Sequence, residues 1–192
     1  MRPAVFFDRD GTLNEDVGYL DRLDRLQVYP YATDALRVLA CAGYALVVIT
    51  NQAGVALGII EEPTVERIHA HIAERFRAAG VRLDGLYYCP HHPAAKVERY
   101  RLDCDCRKPK PGMVQRAAQD LQLDLARSFV VGDRWLDVGV ACAVGATGLL
   151  VRSGYGATEE AHRPEGVHAA AVVDHAMAAA SWILRHGRGG AA

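Results

Sequence analysis

The chain has 192 residues, 51% of them hydrophobic, and its 22 basic residues nearly balance 23 acidic ones. This length and composition suit a folded chain with a sizeable apolar core, and we predict a single domain over residues 1–186. The formal net charge of -1 provides no overall field that would attract nucleic acid or an anionic membrane. We therefore expect neither partner, and an anionic ligand would have to be bound by local charge.

The first residues, MRPAVFFD, contain an apolar run of only five residues, which is shorter than the apolar core of a signal peptide. No other stretch approaches the roughly 20 apolar residues of a membrane span. We therefore expect a cytoplasmic protein, and we take it to be a monomer. Because the cytoplasm disfavours disulfides, the five cysteines need another explanation.

Short runs of β-branched and aromatic residues alternate with longer segments of helical period. The predicted strands cover residues 4–8, 45–50, 85–88, 128–133 and 148–151. Two predicted helices cover residues 31–43 and residues 63 or 64 to 80. Three more are predicted to begin at Pro111, near Trp135, and at Asp174, which would be the N-cap. This alternation predicts an α/β fold of three layers, a Rossmann-like parallel sheet with helices on both faces. We expect the tail, residues 187–192, to be disordered.

Two segments, residues 14–28 and 89–109, do not follow the alternation of strands and helices. Irregular loops of this length inside a compact domain are usually functional. Both follow the carboxyl end of a predicted strand, which is where open α/β sheets bind their ligands. A ligand site is therefore expected at that edge of the sheet.

Two aspartates stand at the end of the first predicted strand, in VFFDRDGTLN. Asp8 and Asp10 are two residues apart, so both carboxylates point the same way on an extended chain. A divalent cation would offset their repulsion, and Mg²⁺ commonly combines one or two carboxylates with substrate phosphate oxygens. The alternative, which the dipeptide alone favours, is a tight turn at Asp10-Gly11 with Asp8 as its cap.

Polar groups that suit a phosphate or a cation follow three further predicted strands. Thr50 and Asn51 end the second strand, Arg107 and Lys108 precede prolines that restrict the backbone, and Asp133 ends the fourth strand. Each also has a structural interpretation without a ligand. Thr50 and Asn51 could be a strand-to-turn sequence, Arg107 and Lys108 a solvated basic run, and Asp133 a helix N-cap. Three acids, a hydroxyl and a lysine at one sheet edge nevertheless favour a phosphate-handling site.

Four motifs, DRDGT, TNQ, RKPKPG and VGDRWLD, occur in this order. Over residues 4–151 the sequence resembles the haloacid dehalogenase-like phosphohydrolases. Within them it is similar to the histidinol-phosphatase and heptose-bisphosphate-phosphatase group, through DRDGTLN, CPHH, CDCRKPKPGM and VGD. The resemblance implies a magnesium-dependent phosphomonoester hydrolase, and the short gaps between the motifs leave no room for a large cap domain.

The resemblance also implies roles for the motif residues. Asp8 would be the nucleophile, and Asp10 the general acid-base that holds a proton while Asp8 is ionised. Asp8, Asp133 and the backbone carbonyl of Asp10 would hold Mg²⁺, and Thr50 and Lys108 would hold the phosphoryl oxygens. Recognition of the substrate would fall to a larger set: Asp16, Val17, Gly18, Tyr19, Asn51, Gln52, Arg107 and Arg134.

The second irregular segment contains three thiols and an imidazole that are zinc ligands by type, and a closed four-ligand site would stabilise a loop of low apolar content. Reactive or merely packed thiols are the alternative. The resemblance includes this loop and favours His91 over His92, so the expected zinc ligands are Cys89, His91, Cys104 and Cys106. Cys41 and Cys142 lie in apolar helical sequence and are expected in the core.

The resemblance implies that the substrate is a small phosphorylated sugar, a heptose bisphosphate. Two departures concern it: Arg134 stands where the heptose phosphatases usually have lysine, and Leu57 replaces a frequent arginine. Histidinol phosphate is the nearest alternative, and a 3′-phosphorylated DNA end is disfavoured by the near-zero net charge. A catalytically silent phosphosugar-binding module would have lost Asp8 or Asp10, and both are present.

Overall fold

The computed structural model describes residues 1–187, and its strands form one six-stranded sheet. The strands are β1 (Ala4–Phe7), β2 (Ala45–Asn51), β3 (Gly85–Cys89), β4 (Phe129–Gly132), β5 (Thr147–Val151) and β6 (Ala171–Val173). They are ordered β3-β2-β1-β4-β5-β6, and every neighbouring pair is parallel. The predicted α/β fold is thus confirmed, and β6 is the strand that the sequence analysis missed.

The helices are α1 (Ala32–Cys41), α2 (Ala53–Ala56), α3 (Glu62–Ala78), α4 (Gly112–Leu121), α5 (Trp135–Val144), α6 (Gly156–Glu160) and α7 (Ala176–His186). Short 3-10 turns occur at Leu23–Arg25, Glu98–Tyr100 and Leu125–Arg127. Among residues 1–187 no helix combines the length and the apolar character needed to cross a membrane.

Alternate residues of the buried strands supply the two faces of the sheet. Val5 and Phe7 belong to a core that includes side chains of α1, α3 and α7. Ala4 and Phe6 belong to a second core with side chains of α4 and α5 on the opposite face. Because side chains alternate along a strand, a run such as AVFF serves both layers at once. This arrangement explains the continuously apolar strands and confirms three layers.

The chain order places the site between β1 and β4. From β1 the chain adds β2 and β3 on one side, and then crosses to β4, β5 and β6 on the other side. The connections leaving neighbouring strands β1 and β4 therefore diverge at their carboxyl ends. This divergence opens a crevice, the usual ligand position in a doubly wound sheet.

Two predictions of local structure differ from the observed fold, and a third is not tested by it. Helix α7 begins after His175, whose side chain accepts a hydrogen bond from the backbone N–H of Ala178, whereas Asp174 forms an ion pair with Arg152. Cys41 and Cys142 are helical but exposed, because each lies on the outer face of its helix. The tail predicted to be disordered lies, apart from Gly187, outside the described residues.

We expect Leu39→Ala to lower the free energy of unfolding by about 2–5 kcal/mol, since Leu39 is fully buried between α1 and the sheet. Urea unfolding of the purified protein measures the loss. Leu23→Ala is the matched control, because Leu23 is 43% exposed and should change stability by no more than about 0.5 kcal/mol. Equal losses for the two variants would contradict the assignment of this core.

Candidate active site

An open cleft of about 240 Å³ lies at the carboxyl ends of the central strands. Eleven of the residues predicted for catalysis or substrate binding line it: Asp8, Asp10, Asp16, Gly18, Tyr19, Thr50, Asn51, Gln52, Arg107, Lys108 and Arg134. Ala53, Gly54 and Leu136 complete the lining and were not predicted. Val17 was predicted for substrate binding but does not line the cleft, because its side chain packs against the core.

Lys108 occupies the centre of the site and is almost fully buried. Its Nζ lies 2.9 Å from Asp8 Oδ1 and 2.6 Å from Asp137 Oδ1, and it donates to the carbonyl of Ile49 at 3.1 Å. Burial alone would lower the pKa of Lys108, but the carboxylates of Asp137 and Asp8 raise it above its ordinary value. Lys108 is therefore a permanently charged link between the ends of β1 and β2 and the start of α5.

Asp137 is a site residue that the sequence analysis missed. It is fully buried in the first turn of α5, where its Oδ2 accepts a hydrogen bond from the backbone N–H of Arg134 at 3.1 Å. Its Oδ1 faces Lys108. Its spacing in VGDRWLD could have indicated this role. Asp137 comes four residues after Asp133, and residues separated by about one helical turn lie on the same side of a helix.

Asp8, Asp133 and Asp137 place carboxylate oxygens within 4.8 Å of one another. Burial, followed by the charges of nearby acids, raises the pKa of Asp8 to about 7 and that of Asp133 to about 8. The Oδ1 atom of Asp133 is buried without a hydrogen-bond partner. Hard carboxylate oxygens with one unsatisfied acceptor suit Mg²⁺, which prefers this kind of ligand. The residues present therefore fit the predicted cation.

Two glycines make room for the Asp133 carboxylate. Gly11 and Gly154 have φ values of +78° and +59°, which side-chain-bearing residues rarely adopt. A Cβ would lie 2.2 Å from Asp133 Oδ2 if it were placed on Gly11 and 2.3 Å from it if placed on Gly154, and both distances are too short for non-bonded atoms. The same oxygen accepts a hydrogen bond from the backbone N–H of Tyr155 at 2.8 Å. The loops after β1 and β5 thus fix the position of this carboxylate.

Asp10 is surrounded by donors. Both of its oxygens accept hydrogen bonds from the Arg9 guanidinium, and further bonds come from Asn14 Nδ2 at 2.9 Å and Gln52 Nε2 at 3.1 Å. Burial opposes ionisation, but Arg9 and these donors hold the pKa of Asp10 below its ordinary value. The pKa values of Asp8 and Asp10 are therefore shifted in the directions opposite to those that the sequence analysis expected. Burial and the neighbouring acids raise the pKa of Asp8, whereas the guanidinium of Arg9 lowers that of Asp10.

The end of β2 connects the site to the third motif. Asn51 Nδ2 donates to the carbonyl of Lys108 at 3.2 Å, and the backbone N–H of Lys108 donates to Asn51 Oδ1 at 3.0 Å. Thr50 Oγ1 accepts from Gln52 Nε2 at 2.9 Å. The Asn51 amide is thus used in holding Lys108, although it was predicted to bind substrate, while Thr50 remains at the cleft surface.

The loop after β1 is folded by its own polar contacts. Asp16 Oδ1 accepts from the backbone N–H of Gly18 at 2.7 Å, an Asx turn that presents Gly18 and Tyr19 to the cleft. Arg25 donates to the carbonyls of Val17 and Tyr19, both at 3.0 Å. Burial raises the pKa of Asp16 above its ordinary value. This loop forms the wall of the cleft next to Asp10.

The predicted zinc ligands come together beside the cleft. Cys89 Sγ lies 3.5 Å from Cys104 Sγ, which lies 3.2 Å from Cys106 Sγ, and His91 Nδ1 lies 3.4 Å from Cys106 Sγ. A tetrahedral site with Zn–S bonds of about 2.3 Å has S–S edges of about 3.8 Å, so small shifts would fit zinc. His92 lies outside the group, where its Nδ1 accepts from the backbone N–H of Ala94.

The cluster favours a thiolate, which is the form that binds zinc. Hydrogen bonds from Cys89, Cys104 and His91 lower the pKa of Cys106 to about 5. The pKa of Cys89 is raised by its interaction with Cys106 and by burial. The shifts favour the thiolate at Cys106, and the chemistry of the donor set fits zinc.

Comparison with known proteins identifies the family. The enzyme named D-glycero-beta-D-manno-heptose-1,7-bisphosphate 7-phosphatase from Salmonella typhi is 45% identical over 160 residues, 83% of this chain and 85% of that protein. The protein of the same name from Yersinia pestis is 39% identical over 183 residues, 95% of this chain and 89% of that protein. Residues 4–138 match the family model described as Polynucleotide kinase 3 phosphatase, and residues 105–179 match the one described as HAD-hydrolase-like.

The chain belongs to the haloacid dehalogenase-like hydrolases. Within this family it is a member of the heptose-bisphosphate-phosphatase group, as its motifs predicted. The D,D-heptose 1,7-bisphosphate phosphatase of B. bronchiseptica, solved with magnesium and phosphate, superposes with a TM-score of 0.83 at 31% identity and covers 96% of this chain and 99% of its own. The Burkholderia thailandensis enzyme has a TM-score of 0.70 at 27% identity, covering 95% and 99%. The predicted fold without a large cap domain and the predicted phosphatase class are confirmed.

We expect Lys108→Met to destabilise the metal-free protein by about 3–5 kcal/mol, because it leaves buried carboxylates without their cation. Chemical unfolding in the presence of a chelator measures the effect. Lys110→Met is the matched control, since the Lys110 side chain is 41% exposed in its ion pair with Asp103 and should cost about 1 kcal/mol or less.

A double variant completes this test. Lys108→Met combined with Asp137→Asn should lose less stability than the two single variants together, because the two side chains interact directly. Additive losses, or a Lys108→Met variant as stable as Lys110→Met, would contradict the central position of Lys108.

Proposed function

We propose that this chain is a magnesium-dependent phosphatase that removes the 7-phosphate of D-glycero-D-manno-heptose 1,7-bisphosphate through an aspartyl-phosphate intermediate. The observation that carries the proposal is the position of Asp8, which lies 2.9 Å from Lys108 at the end of β1 in a cleft also lined by Arg107 and Arg134. The identity with phosphatases named for this substrate supports the choice of ester.

We propose that Mg²⁺ is held by Asp8, Asp133 and the backbone carbonyl of Asp10. The support is the group of close carboxylates, with an unpartnered oxygen on Asp133. The related structure that contains magnesium and phosphate adds to this support. When bound, the cation supplies positive charge that stabilises the oxygens of the transferring phosphoryl group.

We assign nucleophilic attack to Asp8. Its Oδ1 is engaged by Lys108 Nζ and by the backbone N–H of Arg9, so Oδ2 is the atom assigned to form the bond with phosphorus. The bond between phosphorus and the sugar oxygen breaks, and its electron pair leaves with that oxygen. The hydroxyl of Thr50 and the ammonium group of Lys108 are assigned to the other phosphoryl oxygens.

We assign acid-base catalysis to Asp10. It gives a proton to the departing sugar oxygen and later takes one from the water that attacks phosphorus, which releases inorganic phosphate and restores Asp8. The hydrogen bonds that Asp10 accepts in the free molecule suit its ionised form, the form that takes a proton from water. In its acidic form the carboxyl must give up part of its contact with Arg9.

The two arginines of the cleft support a substrate with two phosphates. The Arg134 guanidinium lies 4.0 Å from the centre of the Tyr155 ring, and Arg107 Nη1 donates to the carbonyl of His91 at 3.2 Å. Guanidinium groups bind phosphate oxygens in a bidentate manner, so we assign both side chains to the sugar or its second phosphate. We assign Asp16, Gly18 and Tyr19 to the sugar hydroxyls.

We propose a structural zinc ion at Cys89, His91, Cys104 and Cys106. Arg107 and Lys108 follow the last ligand directly, so the ion would fix the start of the segment that carries both side chains. We also propose that the protein acts in the cytoplasm as a monomer and without nucleic acid. The free cysteines support the cytoplasm, and the small net charge supports the absence of a nucleic-acid partner.

The proposed function is tested by comparing turnover of heptose 1,7-bisphosphate, histidinol phosphate and a 3′-phosphorylated oligonucleotide in magnesium buffer. We expect the highest kcat/KM for the heptose, and no measurable turnover by Asp8→Asn, which keeps the side-chain size but lacks the nucleophile. Preference for histidinol phosphate would overturn the substrate. Wild-type activity in folded Asp8→Asn would overturn the mechanism.

The zinc proposal predicts about one zinc ion per chain in the purified protein by elemental analysis. Cys104→Ser should lose zinc and lower the thermal midpoint, because the loop then lacks its cross-link. Cys142→Ser is the control, since that thiol is exposed and lies outside the cluster. Zinc-free wild-type protein, together with unchanged activity and stability in Cys104→Ser, would rule this site out.

A further inference from the structure

Arg9 is the largest fully buried side chain of the structure, and the proposed chemistry does not use it. Its Nε and Nη2 atoms donate to both oxygens of Asp10, at distances from 2.7 to 3.1 Å. Its Nη1 lies 2.8 Å from Nε2 of His69, which reaches the site from the buried face of α3. Arg9 therefore connects the proposed acid-base to a histidine that is distant in sequence.

The direction of the contact between Arg9 and His69 follows from chemistry. A guanidinium group has only N–H donors and keeps its charge in proteins, so Nε2 of His69 must be the acceptor. The imidazole is then neutral and carries its proton on Nδ1. Burial and the charge of Arg9 lower the pKa of His69 to about 3, which agrees with a neutral ring.

The orientation of the His69 ring is itself constrained. The Tyr88 ring lies edge-on to it, with the ring centres 5.3 Å apart. The Tyr88 hydroxyl contacts Glu62 at 3.1 Å and Glu66 at 3.3 Å, both in α3. His69 is thus held between its own helix and β3, and Nε2 can serve Arg9 without rearrangement.

We propose that His69 is a positioning residue, which orients the Arg9 guanidinium and through it the carboxyl group of Asp10 toward the departing oxygen of the substrate. The inference rests on the proposed function, in which Asp10 is the general acid. Without the acceptor on His69, a buried N–H of Arg9 has no partner and the side chain turns to find one. Asp10 then loses the group that fixes its orientation.

The test uses two substrates that differ in their need for a proton on the leaving group. A sugar alkoxide is a poor leaving group and depends on general acid catalysis, whereas p-nitrophenolate departs readily without a proton. In His69→Leu we expect kcat/KM for heptose bisphosphate to fall about tenfold, with little change in KM, and kcat/KM for p-nitrophenyl phosphate to fall less than about twofold. We compare kcat/KM because it reports the steps up to departure of the leaving group and leaves out the later hydrolysis, which is common to both substrates and also uses Asp10. A purely structural defect would lower both equally.

Two further variants distinguish the loss of the hydrogen bond to Arg9 from the loss of side-chain volume at the helix. His69→Gln keeps an acceptor at similar reach and should recover most of the lost turnover of the sugar phosphate. Ile72→Val, a control on the buried face of the same helix, should affect both substrates alike. If His69→Leu does not fold, His69→Met provides the apolar replacement with a more adaptable side chain.

Equal losses on both substrates, an effect on KM alone, no effect, or no recovery in His69→Gln would each overturn the role of His69. Failure of the proposed function looks different, because wild-type protein would then not hydrolyse heptose bisphosphate, or Asp8→Asn would remain active. If wild-type protein prefers histidinol phosphate, that ester replaces the heptose in the comparison, because its leaving group is also an alkoxide.

Discussion

The ion pairs of Lys108 are the interaction on which the rest of the site depends. One ammonium group joins Asp8 after β1, Asp137 at the start of α5 and a carbonyl of β2. These contacts bring three sequence motifs to one point. A single lysine does not balance the acids around it, which also include Asp133, and this excess of negative charge is the physical reason that the site suits a divalent cation.

The surroundings give the paired aspartates of the first motif different properties. Asp8 is buried among other acids, which raises its pKa, whereas Asp10 is bound by the guanidinium of Arg9, which lowers its pKa. Two neighbouring carboxyl groups of the same type therefore behave differently because different partners reach them. Arg9 contributes to this difference because it binds Asp10, and His69 contributes because it contacts Arg9.

The loop that contains Cys89, Cys104 and Cys106 has few apolar residues, so its conformation also depends on contacts between polar side chains. Cys104 and Cys106 are half-buried against the second core, and Arg107 and Lys108 follow them immediately. The backbone of this loop must be fixed if Arg107 and Lys108 are to be held in place. A metal bound by the three thiols and the imidazole would fix it. The proposed zinc site thus ends two residues before Lys108, which contacts the proposed magnesium ligand Asp8.

The sequence by itself determined the sheet with its helices and the strand-end residues of the four motifs, because apolar period and polar strand ends are local patterns. It did not reveal β6, whose three half-buried residues form too short a pattern. Only the tertiary structure decided that Asp137 faces Lys108 and that Arg9 meets His69, 60 positions away. Local sequence does not specify which distant side chain fills a buried space, and the pKa values of the paired aspartates follow from those contacts.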